Sequence, residues 1–265
     1  MLESSNHIIS LKISIITAVH NNRDTVADAI ESILAQNFFD VELILIDGGS
    51  TDGTVEVLSR YRDRVAVLIS ERDGGIYDAL NKGIGLATGD VVGFLHSDDV
   101  LADPATLGRV AHAFADDAID AVYGDLVYVR KDDTARVVRQ WTAGQFDERL
   151  LARGWMPPHP TFYARRQVYE THGRFDLRLS IAADYDCMLR FLKAGVRVAY
   201  IPHIQVRMRV GGASNRSLRN IVRKSIEDYT ALQRNHVGGI AALFWKNASK
   251  VPQFFRRNTP DDQGK

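Results

Sequence analysis

The sequence of 265 residues lacks the features that mark secreted and membrane-spanning proteins. No apolar run approaches the roughly 20 residues that a membrane-spanning helix needs. The polar residues 1–10 show no signal-peptide pattern, and neither an internal repeat nor a low-complexity segment is present. Since 45% of the residues are hydrophobic, we expect a globular, cytoplasmic protein with a full core.

Cysteine is nearly absent, because Cys187 is the only one in the chain. A single cysteine excludes an internal disulfide. Its neighbours Met188, Leu189 and Phe191 indicate a position in the core. No base is evident nearby, so the sequence does not favour a catalytic thiol.

The chain has no net charge, but its charges are unevenly spread. Residues 203–257 contain eleven Lys or Arg and two acidic residues. A basic segment is commonly a solvated face, and it can also attract phosphates or an anionic membrane. We predict no nucleic-acid partner.

Four short runs rich in β-branched residues have the character of strands buried on both faces. They span residues 13–16, 41–46, 65–69 and 91–95. Helical stripes separate them, and Val26, Ile30, Ile33 and Leu34 form the first. This alternation predicts an α/β fold with a mostly parallel sheet flanked by helices. Such sheets bind ligands beyond the carboxyl ends of their strands.

The pattern changes in the second half of the chain. We predict a hairpin over residues 126–130 and 136–141, a loop over 154–160, helices over 166–172 and 184–193, and a strand over 196–201. The prolines of the loop exclude a regular helix or an inner strand there.

The fourth predicted strand ends in His96-Ser97-Asp98-Asp99. Two carboxylates at the mouth of a buried strand suit Mg²⁺ or Mn²⁺, which also accept phosphate oxygens from a substrate. A helix cap or a solvated turn is the alternative. We assign the cap to Asp103 instead, because Pro104 suits the first helical position. The pair therefore predicts a metal beside a diphosphate.

The second predicted strand ends in Asp47, followed by a turn with two glycines. A carboxylate at this point can accept the N–H of a base, while glycine lets the backbone approach a ligand. The alternative is an acidic turn in which Ser50 or Thr51 caps the next helix, and we expect both roles. The turn lacks the Gly-Lys-Ser/Thr ending of a P-loop and the G-x-G-x-x-G spacing of a dinucleotide site.

Four motifs in this order resemble those of bacterial family-two glycosyltransferases with the A-type fold. They read ISIIT at residues 13–17, DGGSTDGT at 47–54, GGIYDALNKG at 74–83 and LHSDD at 95–99. The resemblance extends over residues 13–210. It is greatest to members that build exopolysaccharide, O-antigen or glycolipid sugars.

The resemblance implies a nucleotide-binding sheet and an inverting, metal-dependent transfer. The donor would be a nucleoside diphosphate sugar and the acceptor a hydroxyl of a glycan or polyprenyl-linked molecule. Residues 1–210 would form the catalytic domain, with a nucleotide-sugar half over about 11–124 and an acceptor half over about 125–210. Residues 211–265 would form a basic helical extension.

The resemblance also implies residues that bind the nucleotide sugar. Thr17 and Val19 would line the base pocket, and Asp47 would bind the base. The other implied nucleotide-sugar residues are Gly74, Asn81 and Lys82.

On the metal and ribose side the resemblance implies Asp98, with Asp99 as a second metal ligand for Mn²⁺ or Mg²⁺. The family's Asp-x-Asp motif usually begins with an acid, and His96 stands in that place here. A neutral His could ligate the metal or bond the ribose, or it could be a buried structural residue. Its lack of negative charge predicts a weaker metal site.

On the acceptor side the resemblance implies Asp184 as the general base, in a segment where Ala183 replaces the usual first acid. The base would take the proton of the acceptor hydroxyl. The alternative is that Asp184 caps the following helix, with Asp186 as a substitute base.

Three further residues are candidates for contact with the acceptor or the diphosphate. His159 could bond either group or be an ordinary loop residue, and Trp155 could stack on a sugar or anchor its loop. Arg209 precedes a glycine pair in residues 211–214, which could form a lid over the diphosphate or a plain turn.

The end of the chain mixes bulky apolar residues with cations, a composition that can lie in a bilayer surface. We predict that it binds an anionic membrane at the inner face of the cell membrane. Packing on the body, or at a homodimer interface, is the alternative. The residues are Ile240, Leu243, Phe244, Trp245, Val251, Phe254 and Phe255, with Arg234, Lys246, Lys250, Arg256 and Arg257.

Two other functions compete with sugar transfer. A sugar nucleotidyltransferase is expected to use a Gly-rich first loop with Lys or Arg, and His20-Asn21-Asn22 is not such a loop. A non-catalytic carbohydrate-binding protein would have little use for Asp47, Asp98 and Asp184 together.

Overall fold

A computed structural model describes residues 11–211 and 218–248 of the chain. The described strands are β1 (Ile13–Val19), β2 (Val41–Asp47), β3 (Val67–Ser70), β4 (Val91–Phe94), β5 (Val100–Leu101), β6 (Ala121–Val129), β7 (Val137–Trp141), β8 (Tyr163–Arg165) and β9 (Val198–Arg209). The described helices are α1 (Val26–Leu34), α2 (Thr54–Ser59), α3 (Ile76–Leu86), α4 (Thr106–Ala113), α5 (Arg166–His172), α6 (Ala183–Lys193), α7 (Leu218–Arg234) and α8 (Ile240–Ala248). Short 3-10 turns lie at Arg62–Arg64, Glu148–Arg153 and His159–Thr161.

The strands form one sheet in the order β3-β2-β1-β4-β8-β6-β9-β5, with β7 paired to β6. β1 to β4 are parallel, as the strand-helix alternation predicts. β8 lies antiparallel between β4 and β6 and joins the two halves of the sheet. The α/β fold is confirmed, and the second half of the sheet is mixed rather than parallel.

Helices cover both faces of the sheet. α1, α2 and α4 pack on one face, and α3, α5 and α6 pack on the other. In β1, Ile13 and Ile15 point to the first layer and Ile16 points to the second, as the two-residue period of a strand requires. α3 passes so close that a Cβ on Gly83 would lie 2.3 Å from Ile16 Cγ2. A glycine is therefore needed at this crossing.

A buried polar network closes the amino end of the sheet. Glu42 is 6% exposed and accepts hydrogen bonds from Ser14, from the Thr88 backbone and hydroxyl, and from Lys12 Nζ. Burial raises the pKa of Glu42, but the hydrogen bonds from Ser14, Thr88 and Lys12 outweigh it and bring the pKa down to about 2. The carboxylate is fully engaged in holding β1, β2 and the turn before β4 together.

Three predicted boundaries differ from the structure. β9 runs to Arg209 rather than ending at residue 201, because polar residues and Pro202 hide its second half in the sequence. α4 begins at Thr106, and Asp103 caps the turn before it by accepting from Ala105 N at 2.8 Å. At α2, Asp52 accepts from Thr54 N at 3.0 Å, so the prediction of a cap from Ser50 or Thr51 is wrong.

Helices are present in the predicted extension as α7 and α8; α7 packs on α6, and α8 packs on α7 and on the 3-10 turn at Glu148–Arg153. Ala231, Leu232 and Ala242 are fully buried in the cluster that joins them to α6. Lys246 is 3% exposed, pairs with Asp228 at 2.7 Å, and lies 3.1 Å from the centroid of the Tyr185 ring. The prediction that Lys246 offers its charge to lipid is therefore wrong, because this cation is buried and paired with Asp228 inside the protein.

None of the helices in the described ranges is both long and apolar enough to cross a bilayer. The division into domains at residue 210 stays a prediction, as does the homodimer. Residues 212–214 of the predicted lid and the membrane candidates from Lys250 to Arg257 lie outside the described residues.

Candidate active site

The carboxyl ends of β1 to β4 open into a cavity of about 950 Å³. The parallel registers bring the four loops to one edge of the sheet, and residues from the second half of the chain line the cavity from the other side. Its walls include Val19, Asp52, Asp73 and Asp98 from the first half, and Asp184 and Arg209 from the second. Cys187 also borders it but is buried, and burial raises the pKa of this thiol to about 12, so a thiolate is not available there.

Asp47 holds the turn after β2. Its carboxylate accepts from Gly49 N at 3.1 Å, from Ser50 N at 3.0 Å, from Ser70 Oγ at 2.7 Å and from Ser50 Oγ. The side chain is fully buried, one residue before Gly48, which borders the cavity. These bonds explain the fixed shape of the turn, and binding of a base by Asp47 stays a prediction.

Asp98 and Asp99 point in different directions. Asp98 is half-buried and borders the cavity, and no hydrogen bond from the described residues reaches its carboxylate. Asp99 is 1% exposed and accepts from Arg209 N at 3.0 Å, while its Oδ2 is buried without a partner in the described part of the chain. Burial raises the pKa of Asp99 well above its usual range, and the neighbouring Asp98 adds to this.

Arg209 anchors the loop that carries these two acids. Its guanidinium donates to the Asp98 carbonyl at 2.7 Å and to the Lys131 carbonyl at 3.2 Å, and it forms an ion pair with Asp28. Arg209 is 6% exposed, so most of its charge is used within the protein. It fixes Asp98 at the cavity, and contact with a diphosphate stays a prediction.

Asp184 lies at the start of α6 and borders the same cavity as Asp98. Its Oδ1 accepts from Tyr185 N at 2.8 Å and lies 3.2 Å from the Tyr77 hydroxyl, and its Oδ2 lies 3.4 Å from His159 Nδ1. The helix cap is Ala182, without a side-chain hydrogen bond, so Asp184 does not cap α6. Asp186 is buried and paired with Arg190 at 3.0 Å, away from the cavity.

Three aromatic side chains, Tyr77, His96 and His159, connect the two halves of the chain around Asp184. Burial raises the pKa of Tyr77 well above its usual range, and the charge of Asp184 adds to this, so the hydroxyl keeps its proton. It donates to the Ile181 carbonyl at 2.8 Å. His96 Nε2 lies 2.9 Å from His159 Nε2. Burial lowers the pKa of His96 and favours the neutral ring, although Asp98 and Asp184 oppose this.

The residues present suit a metal that is shared with a ligand. No three His, Cys, Asp or Glu side chains of residues 11–211 and 218–248 cluster as a ligand set. The cavity nevertheless has five Asp and four Lys or Arg residues on its described walls, which gives no excess of positive charge for a diphosphate. Asp98 offers one open carboxylate, and Mg²⁺ or Mn²⁺ is commonly held by one or two carboxylates plus substrate phosphates.

The structure brings together some of the predicted site residues and separates others. Val19, Asp98, His159, Asp184 and Arg209 border the cavity. The remaining predicted residues do not border it: Thr17, Asp47, Gly74, Asn81, Lys82, Asp99 and Trp155.

Several of these remaining residues have structural contacts of their own. Asn81 brackets Phe175, donating to its carbonyl at 2.9 Å and accepting from its N at 3.0 Å. Lys82 pairs with Glu71 at 2.7 Å, and Gly74 N donates to Asp78. Trp155 packs against Tyr123 and Phe146, so it anchors its loop. Their proposed contacts with substrate stay predictions.

Sequence reasoning missed Tyr77 as a partner of Asp184. The two residues are 107 positions apart, and Tyr77 stands in the motif at residues 74–83 beside apolar residues, where an aromatic residue indicates core packing. Asp52 appeared only as a member of the motif at residues 47–54, and Asp73, directly before the motif at 74–83, was not singled out. Their positions after adjacent parallel strands were the available signal.

Comparison with known proteins agrees with this geometry. The family model described as Glycosyl transferase family 2 matches residues 14–175. A PGL/p-HBAD biosynthesis glycosyltransferase of Mycobacterium tuberculosis is 34% identical over 209 residues, which cover 76% of this chain and 78% of the relative. The succinoglycan biosynthesis protein ExoO of Rhizobium meliloti is 31% identical over 252 residues, which cover 86% of this chain and 70% of ExoO.

Solved structures share the fold at lower identity. Residues 1–349 of S. aureus TarS give a TM-score of 0.68 at 17% identity, with 91% of this chain and 72% of that chain covered. The chain spans 39% of a longer TarS structure. The mannosyltransferase PcManGT of Pyrobaculum calidifontis, solved with GDP-Man and Mn²⁺, gives 0.62 at 17% identity, with 94% and 77% covered. The fold is that of the A-type glycosyltransferases.

Proposed function

Because the chain belongs to glycosyltransferase family 2, we propose that it is an inverting, metal-dependent enzyme. It moves a sugar from a nucleoside diphosphate sugar to a hydroxyl of a glycan or polyprenyl-linked acceptor. Its place is the synthesis of surface polysaccharide or glycolipid.

One observation carries this proposal: Asp98 and Asp184 border the same cavity from opposite halves of the fold. An inverting displacement needs the leaving diphosphate and the attacking hydroxyl on opposite sides of the anomeric carbon. Asp98 lies on the side of the nucleotide-binding loops, and Asp184 lies on the acceptor side.

The reaction assigns one role to each carboxylate. The acceptor oxygen forms a bond to the anomeric carbon and its proton goes to Asp184, while the bond from that carbon to the diphosphate oxygen breaks. The nucleoside diphosphate leaves with the electron pair of that bond. Asp98 would hold Mn²⁺ or Mg²⁺, which supplies charge stabilisation for the leaving diphosphate.

The donor class is supported by the structural neighbours. TarS was solved with UDP-GlcNAc and PcManGT with GDP-Man and Mn²⁺. The loops after β1, β2 and β3 line the cavity with different side chains. These side chains decide which base and which sugar the enzyme accepts.

We also propose that the enzyme works in the cytoplasm, bound to the inner face of the cell membrane through α8. Ile240, Phe244 and Trp245 are 75%, 67% and 55% exposed, which is unusual for side chains of this size. The double variant Phe244→Ser with Trp245→Ser should lose flotation with anionic vesicles and keep its melting temperature. Lys246 stays in place in this variant, since its removal would leave Asp228 buried without this partner. Unchanged flotation would contradict membrane binding through α8.

A transfer assay tests the main proposal. Wild-type protein is incubated with UDP-, GDP- and dTDP-sugars and Mn²⁺, and the released phosphate compounds are identified. We expect free nucleoside diphosphate from at least one donor. Release of pyrophosphate would indicate a nucleotidyltransferase instead, and binding without any release would indicate a carbohydrate-binding protein.

A further inference from the structure

Three side chains form a continuous chain across the cavity. His96 follows β4 in the loop of Asp98, His159 belongs to the proline-rich loop of the acceptor half, and Asp184 begins α6. The two histidine Nε2 atoms are 2.9 Å apart with ring centroids 5.1 Å apart, and His159 Nδ1 lies 3.4 Å from Asp184 Oδ2. These successive contacts therefore join the donor side of the cavity to the acceptor side.

With Asp184 ionised as the base and both imidazole rings neutral, one placement of the ring protons satisfies both contacts. An ionised carboxylate only accepts hydrogen bonds, so His159 must present Nδ1–H to Asp184. A neutral ring with Nδ1–H has an acceptor at Nε2, and His96 must then donate its own Nε2–H to it. One tautomer of each ring satisfies both contacts without any added charge. The 3.4 Å contact is long, as catalytic contacts often are before substrate binds.

The two oxygens of Asp184 are held differently. Oδ1 accepts from Tyr185 N at 2.8 Å and lies near the Tyr77 hydroxyl, whose single proton has a closer acceptor in the Ile181 carbonyl. Among the contacts of the described residues, Oδ2 is approached by His159. The orientation of Oδ2, the oxygen with capacity left for a substrate proton, thus depends on His159.

We propose that His159 is a positioning residue that holds Asp184 Oδ2 toward the acceptor, and that His96 fixes the tautomer and orientation of His159. The proposal rests on the proposed function, in which Asp184 is the base. It also gives a reason for His96 at the place where the family usually has an acid. The imidazole of His96 can donate a hydrogen bond to His159 in the acceptor half. An ionised carboxylate only accepts hydrogen bonds and could not act as this donor.

Two substitutions of His159 separate its two contacts. The side-chain amide of His159→Asn lies near the position of Nδ1 and keeps a donor for Asp184. The amide of His159→Gln lies near the position of Nε2 and keeps a partner for His96 only. We expect kcat of His159→Gln to fall at least about tenfold below that of His159→Asn, with the donor KM and the melting temperature similar in both.

A double-variant cycle tests whether His159 acts through Asp184. With the active nucleotide sugar from the donor panel and Mn²⁺, adding His159→Gln to Asp184→Asn should cause no further loss of kcat, because residues that act as a unit are non-additive. Three results would overturn the proposal. They are losses of kcat that multiply in the double variant, equal kcat for His159→Asn and His159→Gln, and an effect confined to the donor KM. A wild-type protein that releases no nucleoside diphosphate would refute the proposed function instead.

The tautomers offer a test without turnover. Long-range proton-nitrogen NMR spectra of the histidine rings, assigned with His96→Gln and His159→Asn, should show protonated Nδ1 in His159 and protonated Nε2 in His96. The opposite tautomer in His159 would overturn the proposal.

Discussion

The two ends of the same sheet hold buried carboxylates in opposite ways. At the amino end, Glu42 receives hydrogen bonds from three residues and has no further role to offer. At the carboxyl end, Asp98 is half-buried beside a cavity, and no hydrogen bond from the described residues reaches its carboxylate. Asp184 is held at Oδ1 and retains capacity at Oδ2.

This difference teaches that burial alone does not mark a functional acid. A buried polar group that is fully paired stabilises the fold, whereas one left open at a cavity costs stability unless a ligand completes it. The amino end should therefore govern stability and the carboxyl end should govern activity. The following substitutions test that separation.

The largest expected effect is at Asp98. Asp98→Asn keeps the shape of the side chain but removes the charge that would hold Mn²⁺ or Mg²⁺ beside the diphosphate. We expect transfer to fall by roughly a thousandfold or more, which corresponds to several kcal/mol of leaving-group stabilisation. Nucleoside diphosphate release measures transfer, and a thermal melt measures the stability of the variant. Full activity of the variant, or of wild type in excess chelator, would contradict the assignment.

The next effect concerns Asp184. Asp184→Asn should lower kcat by about 10² to 10⁴, the range for loss of a general base, while donor binding stays nearly unchanged. Asp186→Asn is the matched control on the same helix turn. Because Asp186 is buried and paired with Arg190, its variant should lose stability and retain kcat. A larger loss of kcat in Asp186→Asn than in Asp184→Asn would show that Asp184 is not the base.

The smallest effect on turnover is expected at Glu42. Glu42→Gln sets an amide donor against Thr88 N, so the free energy of unfolding should fall by about 1–3 kcal/mol, with kcat unchanged below the melting temperature. The folded-state pKa of about 2 is below the usual 4.5. The ionised form therefore contributes stability that is complete above pH 4.5 and is lost as the pH falls toward 2. Chemical unfolding from pH 7 to pH 2 should show a steeper decline for wild type than for the variant.

The sequence predicted the first half of the fold well because its strands are apolar throughout and its helices have clear stripes. β1 to β4 and α1 fall where the pattern places them. β8 has three residues and β5 has two, which is too short for any period to appear. The second half of β9 was missed because Gln205 and Arg209 are buried polar residues in a strand.

The candidate site was predictable where chemistry follows a strand end and unpredictable where distant segments meet. Asp98 and Asp184 were found through their motifs. The contact of His159 with His96 spans 63 positions, and its loop has no regular period from which an orientation could be derived. The different orientations of Asp98 and Asp99 were also hidden, since they arise from the contact of Asp99 with the end of β9.

Calorimetric titration of nucleoside diphosphates in the presence and absence of Mn²⁺ tests the separation of the two ends most directly. UDP, GDP and dTDP are titrated into wild type, Asp98→Asn and Glu42→Gln at a temperature where all three are folded. We predict that Asp98→Asn loses the Mn²⁺-dependent gain in affinity while melting at or above the wild-type temperature, and that Glu42→Gln binds with the wild-type Kd but melts earlier. Wild-type affinity in Asp98→Asn, or lost affinity in folded Glu42→Gln, would contradict the account.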